Sequence, residues 1–313
     1  SEDFRNWLAE RFFAVEKKPA SSHAIDAALR VLKAKAKKGK TLDVHVRLAG
    51  DAGAVYLDLG DRDWRAVKVT ADGWRVVKTP RVRFWRPPGM LPLPVPERAP
   101  ACGLRALKRF VNVADEESFI LAVAWLVGAL NPRGPYPILQ VEGEQGSGKS
   151  TTCRILCELI DPREVGLRRP PHDDRDLFIA ARNSWVIGLD NLSGLPDWLS
   201  DTLCALATGA GFAKRALYTN INEVYLRGRR PIIVNGIDAI GRKGDFRDRC
   251  VRLVLPRLDA AIVDEATLYQ HFETARPALL GALLDAVSAA LRNWPTTTLT
   301  RTPRMADFAR WVT

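Results

Sequence analysis

Gly143-Glu144-Gln145-Gly146-Ser147-Gly148-Lys149-Ser150 satisfies the phosphate-loop pattern G-x-x-x-x-G-K-[ST] at every fixed position. The run before it, Ile138-Leu139-Gln140-Val141, reads as a buried strand, and Thr151 to Ile160 reads as a helix that Pro162 stops. A nucleotide phosphate site needs this order of strand, glycine loop and helix, because a helix start presents unpaired N–H groups to an anion. Glycines let the backbone close around phosphates. Lys149 is placed to reach the β- and γ-phosphates, and the Ser150 hydroxyl to coordinate Mg2+. Gly143, Glu144, Gln145, Gly146, Ser147, Gly148, Lys149 and Ser150, with Thr151 at the helix start, are therefore the candidate triphosphate-binding residues. The competing reading, a chance match in a glycine-rich turn, is weakened by the flanking strand and helix.

The 313 residues allow two modest domains or one with appendages, and 47% hydrophobic content supports a sizeable core. Forty-seven Lys and Arg against 36 Asp and Glu leave a net charge of +11, which favours a polyanionic partner, nucleic acid being the commonest. Cys102, Cys153, Cys157, Cys204 and Cys250 form no metal or disulfide framework, and four scattered histidines offer no zinc site. No signal peptide is visible and no apolar run reaches bilayer-spanning length, so a reduced, cytoplasmic setting is expected, away from membranes. The start at Ser1 rather than Met, and an end inside an unfinished helix at Trp311-Val312-Thr313, suggest a piece of a longer protein.

Ahead of the loop, Phe4, Trp7, Leu8, Phe12 and Val15 recur at helical spacing, and Ser21-Ser22 sit where a second helix, His23 to Lys38, would be capped. The lysines at its end complement the macrodipole or contact a phosphate backbone. From Leu42 to Arg86 the pattern changes to short alternating runs broken by turns such as Ala71-Asp72-Gly73, which predicts an antiparallel meander. Trp64, Trp74 and Trp85 stand beside Arg65, Arg75, Arg83 and Arg86. Such tryptophans either fill the small core of the sheet or stack single-stranded bases. Pro87 to Pro100 reads as a stiff linker. Helices are expected over Cys102 to Val111 and over Glu116 to Leu130 behind an Asp115 cap.

Beyond the loop, Trp185-Val186-Ile187-Gly188-Leu189 ends in Asp190, Ile232-Ile233-Val234 ends in Asn235, and Val251 to Leu255 ends in Pro256; Val165-Gly166-Leu167 is a weaker run. Helical stretches separate most of them, predicting an α/β fold whose parallel sheet carries its site at the carboxyl ends of the strands. Asp190 is the candidate second Mg2+ ligand beside Ser150, and Asn235 the candidate for orienting a water or touching the γ-phosphate; a cap or turn role competes for both. Thr208 to Arg230 reads as a β-hairpin carrying Lys214, Arg215, Arg227, Arg229 and Arg230 against Glu223 alone, a candidate DNA-binding element. After Pro256 the chain is predicted helical, as Asp264 to Ala275, then a second helix from Pro277 to Asn293, and a last from Met305.

This order of loop, acid-ending strand, basic hairpin and asparagine-ending strand resembles the superfamily 3 helicases, an AAA+-related group, and within it the helicase-type ATPases of phage and prophage replication proteins that often adjoin a primase domain. The likeness covers roughly residues 135 to 257. With the proline-rich linker as a boundary near residue 100, residues 1–100 are expected to form a small α+β accessory domain outside the likeness and 258–313 a helical lid or collar, around the AAA+-like core over 101–257 that the likeness implies. The likeness also implies ATP with Mg2+, a ring that is usually a hexamer around single-stranded or forked DNA, a possible primase partner, and an arginine finger from the neighbouring subunit. Arg249, directly ahead of the last strand, matches that finger best, with Arg247 as alternate. Two departures stand out. Asp190 is followed by Asn191 where the family usually has a second acid, leaving Asp174 or Asp176 as upstream substitutes or hydrolysis slow, and the hairpin turn lacks the usual lysine or histidine. The expected function is thus an ATP-dependent DNA motor, with an ATP-gated binding or assembly switch as the alternative and a small-molecule kinase as a third, disfavoured reading.

Overall fold

A computed structural model of the protein describes residues 2–98, 103–209, 212–215, 223–226, 228–236, 240–241, 243–258 and 264–313. The chain divides into two compact units, Ser1–Asp43 and Val44–Thr313. The first contains two helices, α1 (Glu2–Glu16) and α2 (Ser22–Lys38). Ser21 caps α2 by accepting from the Ala24 N–H at 3.2 Å, and Lys35, Lys37 and Lys38 occupy its last turn, where the macrodipole favours cations. An Arg5–Asp26 ion pair joins the two helices.

The second unit begins with β1 (Val44–His45), β2 (Leu48–Asp51), β3 (Ala54–Asp58), β4 (Ala66–Thr70), β5 (Gly73–Val77) and β6 (Arg83–Phe84). Strands β2 to β5 form the expected antiparallel meander, in chain order. The alternating run from Val44 to Leu48 is not one strand, however. Arg47 takes a left-handed φ of 62°, and β1 pairs instead with β6, in parallel. The break lets the fully buried Arg47 side chain turn inward, where its Nε donates to Asp161 at 3.0 Å and its terminal nitrogens to the Asp58 and Leu91 carbonyls.

The helical segment expected over Cys102 to Val111 is a 3-10 helix (Gly103–Arg109), followed by α3 (Glu116–Ala129), which Asp115 caps by accepting from the Ser118 N–H at 2.7 Å. Then come β7 (Ile138–Glu142), α4 (Lys149–Ile160), α5 (Asp174–Asn183), β8 (Ile187–Leu189), α6 (Asp197–Thr208), β9 (Phe212–Arg215), β10 (Glu223–Leu226), β11 (Ile232–Gly236), α7 (Gly244–Arg247), β12 (Cys250–Val254), α8 (Glu265–Asn293) and α9 (Ala306–Val312). The parallel sheet has the order β12-β7-β11-β8. The weak run at Val165 contributes only a parallel bridge from Arg168 to Leu189 at the β8 edge. Strands buried on both faces read as unbroken apolar runs, which is why Ile232-Ile233-Val234 was so conspicuous.

The two faces of this sheet pack differently. One face meets α5 and α6 through Ile138, Leu177, Leu203 and Val234. The other shares a single apolar cluster with α3, α4, α8 and the meander, whose Leu57, Val67 and Val69 lie in it. The meander and the parallel sheet therefore belong to one compact unit, and the division falls at residue 43 rather than near residue 100. Trp74 packs against this cluster and donates its indole N–H to Asp285 on α8 at 2.8 Å, a core role, while Trp64 is exposed beneath Arg86.

Helix α8 runs unbroken through Pro277, where two helices were expected. The proline carbonyl accepts from the Glu97 N–H at 3.0 Å, and a Cβ on Gly281 would lie only 1.7 Å from the Glu97 carbonyl oxygen. The proline-rich segment crosses the helix here and needs glycine to do so. By length and composition α8 would suffice to cross a bilayer, which corrects the expectation of no such run, but half of the window concerned is buried inside the protein, as in a core helix.

Candidate functional site

Strands β7, β8, β11 and β12 bring their carboxyl ends to one edge of the sheet, and the residues singled out there meet. At the end of β7 the chain enters the glycine loop at Gly143, where a Cβ would approach Ser147 Oγ to 2.7 Å and the Leu255 carbonyl to 2.8 Å. Gly148 precedes α4 with φ of 77°, the left-handed region that a side chain strains to adopt. Lys149 Nζ donates to the Gly143 and Glu144 carbonyls at 2.7 Å each, so the ammonium lies across the loop mouth. Ser147 is buried and turned inward, its hydroxyl donating to the Glu144 carbonyl at 2.8 Å.

Ser150 and Asp190 come together, with the Ser150 hydroxyl donating to Asp190 Oδ1 at 2.8 Å. Asn235, on the strand inserted between β7 and β8, donates to the same carboxylate oxygen at 2.7 Å and accepts from the Asn191 N–H at 2.8 Å. Asn235 is buried. Asn191 takes a left-handed φ of 56°, which asparagine tolerates better than most residues. Beneath the loop, burial pushes the Cys153 thiol up to about 12 and the Cys157 thiol well above its ordinary range. Both are inert packing groups on α4.

Sequence reasoning missed two braces. Asn112 donates its amide to the Ser147 carbonyl at 2.9 Å and to the Pro256 carbonyl at 2.7 Å, tying the loop to the end of β12. Glu142, the last residue of β7, is buried and held by Arg252 of β12 at 2.7 Å and by Gln140. Neither belongs to a motif. The only signal was a polar residue set among apolar neighbours.

The basic residues are dispersed. Strands β9 and β10 pair antiparallel, setting Arg215 opposite Glu223 and Lys214 opposite Val224. The turn 216–222 and Arg227 lie outside the described residues. Arg229 donates to the Thr208 and Arg133 carbonyls at 2.8 and 2.6 Å, and Arg230 to the Ala181 and Ser184 carbonyls at 2.8 and 3.0 Å. These two arginines fasten the base of the hairpin to the end of α6, the loop before β7 and the end of α5. Arg249 is engaged by Asp245, which Arg304 also contacts, whereas Arg247 is exposed with no partner among the described residues. Asp176 lies in the first turn of α5, where its N–H donates to the cap residue Asp173. Among the described residues no three or more His, Cys, Asp or Glu side chains gather into a metal cage. Magnesium held through a substrate phosphate does not need one, since a hydroxyl, one carboxylate and waters complete its shell.

The family described as actinomycete integrative conjugative element replication protein matches residues 104–313. Among curated proteins none matches the chain. Solved structures similar to it include apo forms of the NrS-1 C-terminal region. The A form is 16% identical, over 79% of this chain and 70% of that one, with a TM-score of 0.46. A second A form, of region 305–718, is 14% identical over 82% and 69% with a TM-score of 0.41, and a further apo structure is 14% identical over 79% and 69% with a TM-score of 0.42. At these scores the likeness bears on neither activity nor partners.

Proposed function

The chain belongs to the actinomycete integrative conjugative element replication proteins, and within that family we propose that it is an ATP-dependent, DNA-translocating motor of the superfamily 3 type. The observation that carries this reading is the bonded group Ser150–Asp190–Asn235 beside Lys149 at the carboxyl edge of the parallel sheet. A hydroxyl and a carboxylate 2.8 Å apart at a helix start, below a glycine loop, fit a phosphate-bound Mg2+. Lys149 and the N–H groups of Gly146 to Thr151 would hold the phosphates, and Ser150 and Asp190 the ion. Asn235 keeps Asp190 oriented and offers the amide next to the γ-phosphate. Magnesium supplies charge neutralisation between the phosphates. Residues 258–313 would serve as a helical collar rather than a lid over this edge, with α8 packed along the shared core and α9 against α3 and α8.

Work on DNA also needs an assembly and a grip. We assign these to a ring, in its usual form a hexamer, in which an arginine of one subunit reaches the nucleotide of the next, and to the β9–β10 hairpin with Lys214, Arg215 and Arg227. Arg247 is better suited than Arg249 to act in trans, because Arg249 is already engaged by Asp245. Asn191 favours a second reading. The residue after Asp190 is an amide whose N–H is spent on Asn235, and no acid follows it. An ATP-gated switch with negligible turnover is the form the protein takes if no other carboxylate polarises water.

ATP hydrolysis measured with and without single-stranded DNA, on wild type and Lys149→Ala, with mass determined in parallel, tests both. A motor shows DNA-stimulated turnover in an assembled state, lost by at least about 100-fold in Lys149→Ala. Tight ATP binding without turnover leaves the switch. Absence of ATP binding sinks both readings.

A further inference from the structure

At the opposite, amino-terminal edge of the parallel sheet lies an open groove of about 1130 Å3. It exceeds the roughly 300–1,000 Å3 of small-molecule pockets and suits a length of polymer. One wall is β2, the edge strand of the meander, with Trp85 following β6; the other is built from the loop before β7, the end of α5 and the residues that lead from β10 into β11. We propose that this groove binds a single strand of DNA, with phosphates on Arg133, Arg182 and Arg229 and a base against the Trp85 ring.

Charge selects the occupant. Arg133 and Arg182 are exposed, and neither has a carboxylate partner among the described residues. Arg229 spends Nε and one terminal nitrogen on carbonyls, and its other terminal nitrogen has no partner among the described residues. The acids on the lining, Asp51 and Asp307, are exposed at its rim. A net charge of +11 on the chain adds to the attraction for a polyanion.

The aromatic surface then selects single over double strands. Trp85 is 37% exposed, and the Arg182 guanidinium stands 5.7 Å from its ring centroid, at the edge of cation–π range. An exposed indole flanked by arginines offers a base a stacking face, which only an unpaired, unstacked base can use. Trp185 and Trp311 also line the groove, but both are buried with their indole N–H groups bonded to main-chain carbonyls, so they form its floor. Gly228, Arg229 and Arg230, which precede β11, all line the groove. Nothing in this proposal depends on the phosphate loop.

The test is fluorescence anisotropy of a labelled oligo-dT of about 16 nucleotides, at the long end of such sites, without nucleotide and across a salt series. Arg133→Ala/Arg182→Ala should weaken binding and lower the slope of log affinity against log salt by about 1.4, two charges' worth on a single strand. Trp85→Ala should weaken single-strand binding about tenfold while changing affinity for a duplex of equal length little. A bromodeoxyuridine oligonucleotide should cross-link to the peptide containing Trp85. Wild-type affinity and salt slope in the double variant, with cross-links confined to residues 212–226, would overturn the proposal. Lys149→Ala separates the two sites. It should lose ATP turnover and keep oligonucleotide binding, so failure of either site is read independently.

Discussion

Asn235 bonds to both Asp190 and the Asn191 N–H, so one buried amide sets the direction of the acid and of the residue after it. Asn235→Ala should strip a partner from each, leaving buried polar groups unsatisfied at a cost of about 1–3 kcal/mol, read as a lower denaturant midpoint. Any ATP turnover should fall further than that stability loss explains. Cys153 and Cys157 give a pH-dependent check. Their folded-state values lie above the ordinary thiol value, so they stay protonated at pH 8. Iodoacetamide at that pH should spare both in the folded protein and label them on unfolding, with reaction in the native state counting against the packing described. Asp190 and Asn235 were legible as strand-ending polar residues because an apolar run announces its own end. Asn112 and Arg252 were not, because nothing local distinguishes a loop brace from a surface polar residue.

At the scale of elements, the decisive join is between the meander and the end of α4. Arg47 and Asp161 are 114 residues apart in sequence and both fully buried, and Asp161 also accepts from the Trp185 and Val186 N–H groups at 2.8 and 3.1 Å. Burial lowers the Arg47 pKa from its ordinary value, with Asp161 opposing the shift. Removing one partner of such a pair strands the other in a low-dielectric site, so Arg47→Ala should cost about 3–5 kcal/mol in chemical denaturation. The crossing of the proline-rich segment over α8 invites a second substitution. Gly281→Ala places a methyl against the Glu97 backbone and should destabilise the protein by at least about 1–3 kcal/mol, the usual cost of overpacking. An unchanged melting transition would mean the segment does not lie where described. Alternation and Asp-Gly turns revealed the meander, whereas the break at Arg47 had no local sign, because its cause is a carboxylate on a distant helix end.

For the whole molecule, the compact unit Val44–Thr313 predicts where the chain tolerates a cut. Deleting residues 1–43 should leave a cooperative thermal transition. Deleting residues 1–100 removes Leu57, Val67 and Val69 from the shared core and exposes their counterparts on α8, so that product should aggregate or melt far lower. Equal stability of the two truncations, by calorimetry, would restore a boundary near residue 100. The proline-rich segment suggested that boundary because its composition is that of a linker; its residues nevertheless pack, with Leu93 buried in the common cluster.

The sequence alone determined the strand–glycine loop–helix unit, the acid and asparagine that end two apolar runs, and the basic excess, because each is written within a few consecutive residues or in composition. Tertiary structure decided the rest. Strand order put β11 between β7 and β8 and so brought Asn235 against Asp190. Packing merged the meander with the sheet, engaged Arg229, Arg230 and Arg249, left Arg247 exposed, and opened a groove at the far edge. Apart from the local Arg249–Asp245 pair, these outcomes depend on contacts between residues far apart in the chain, and such contacts follow from topology rather than from any local pattern.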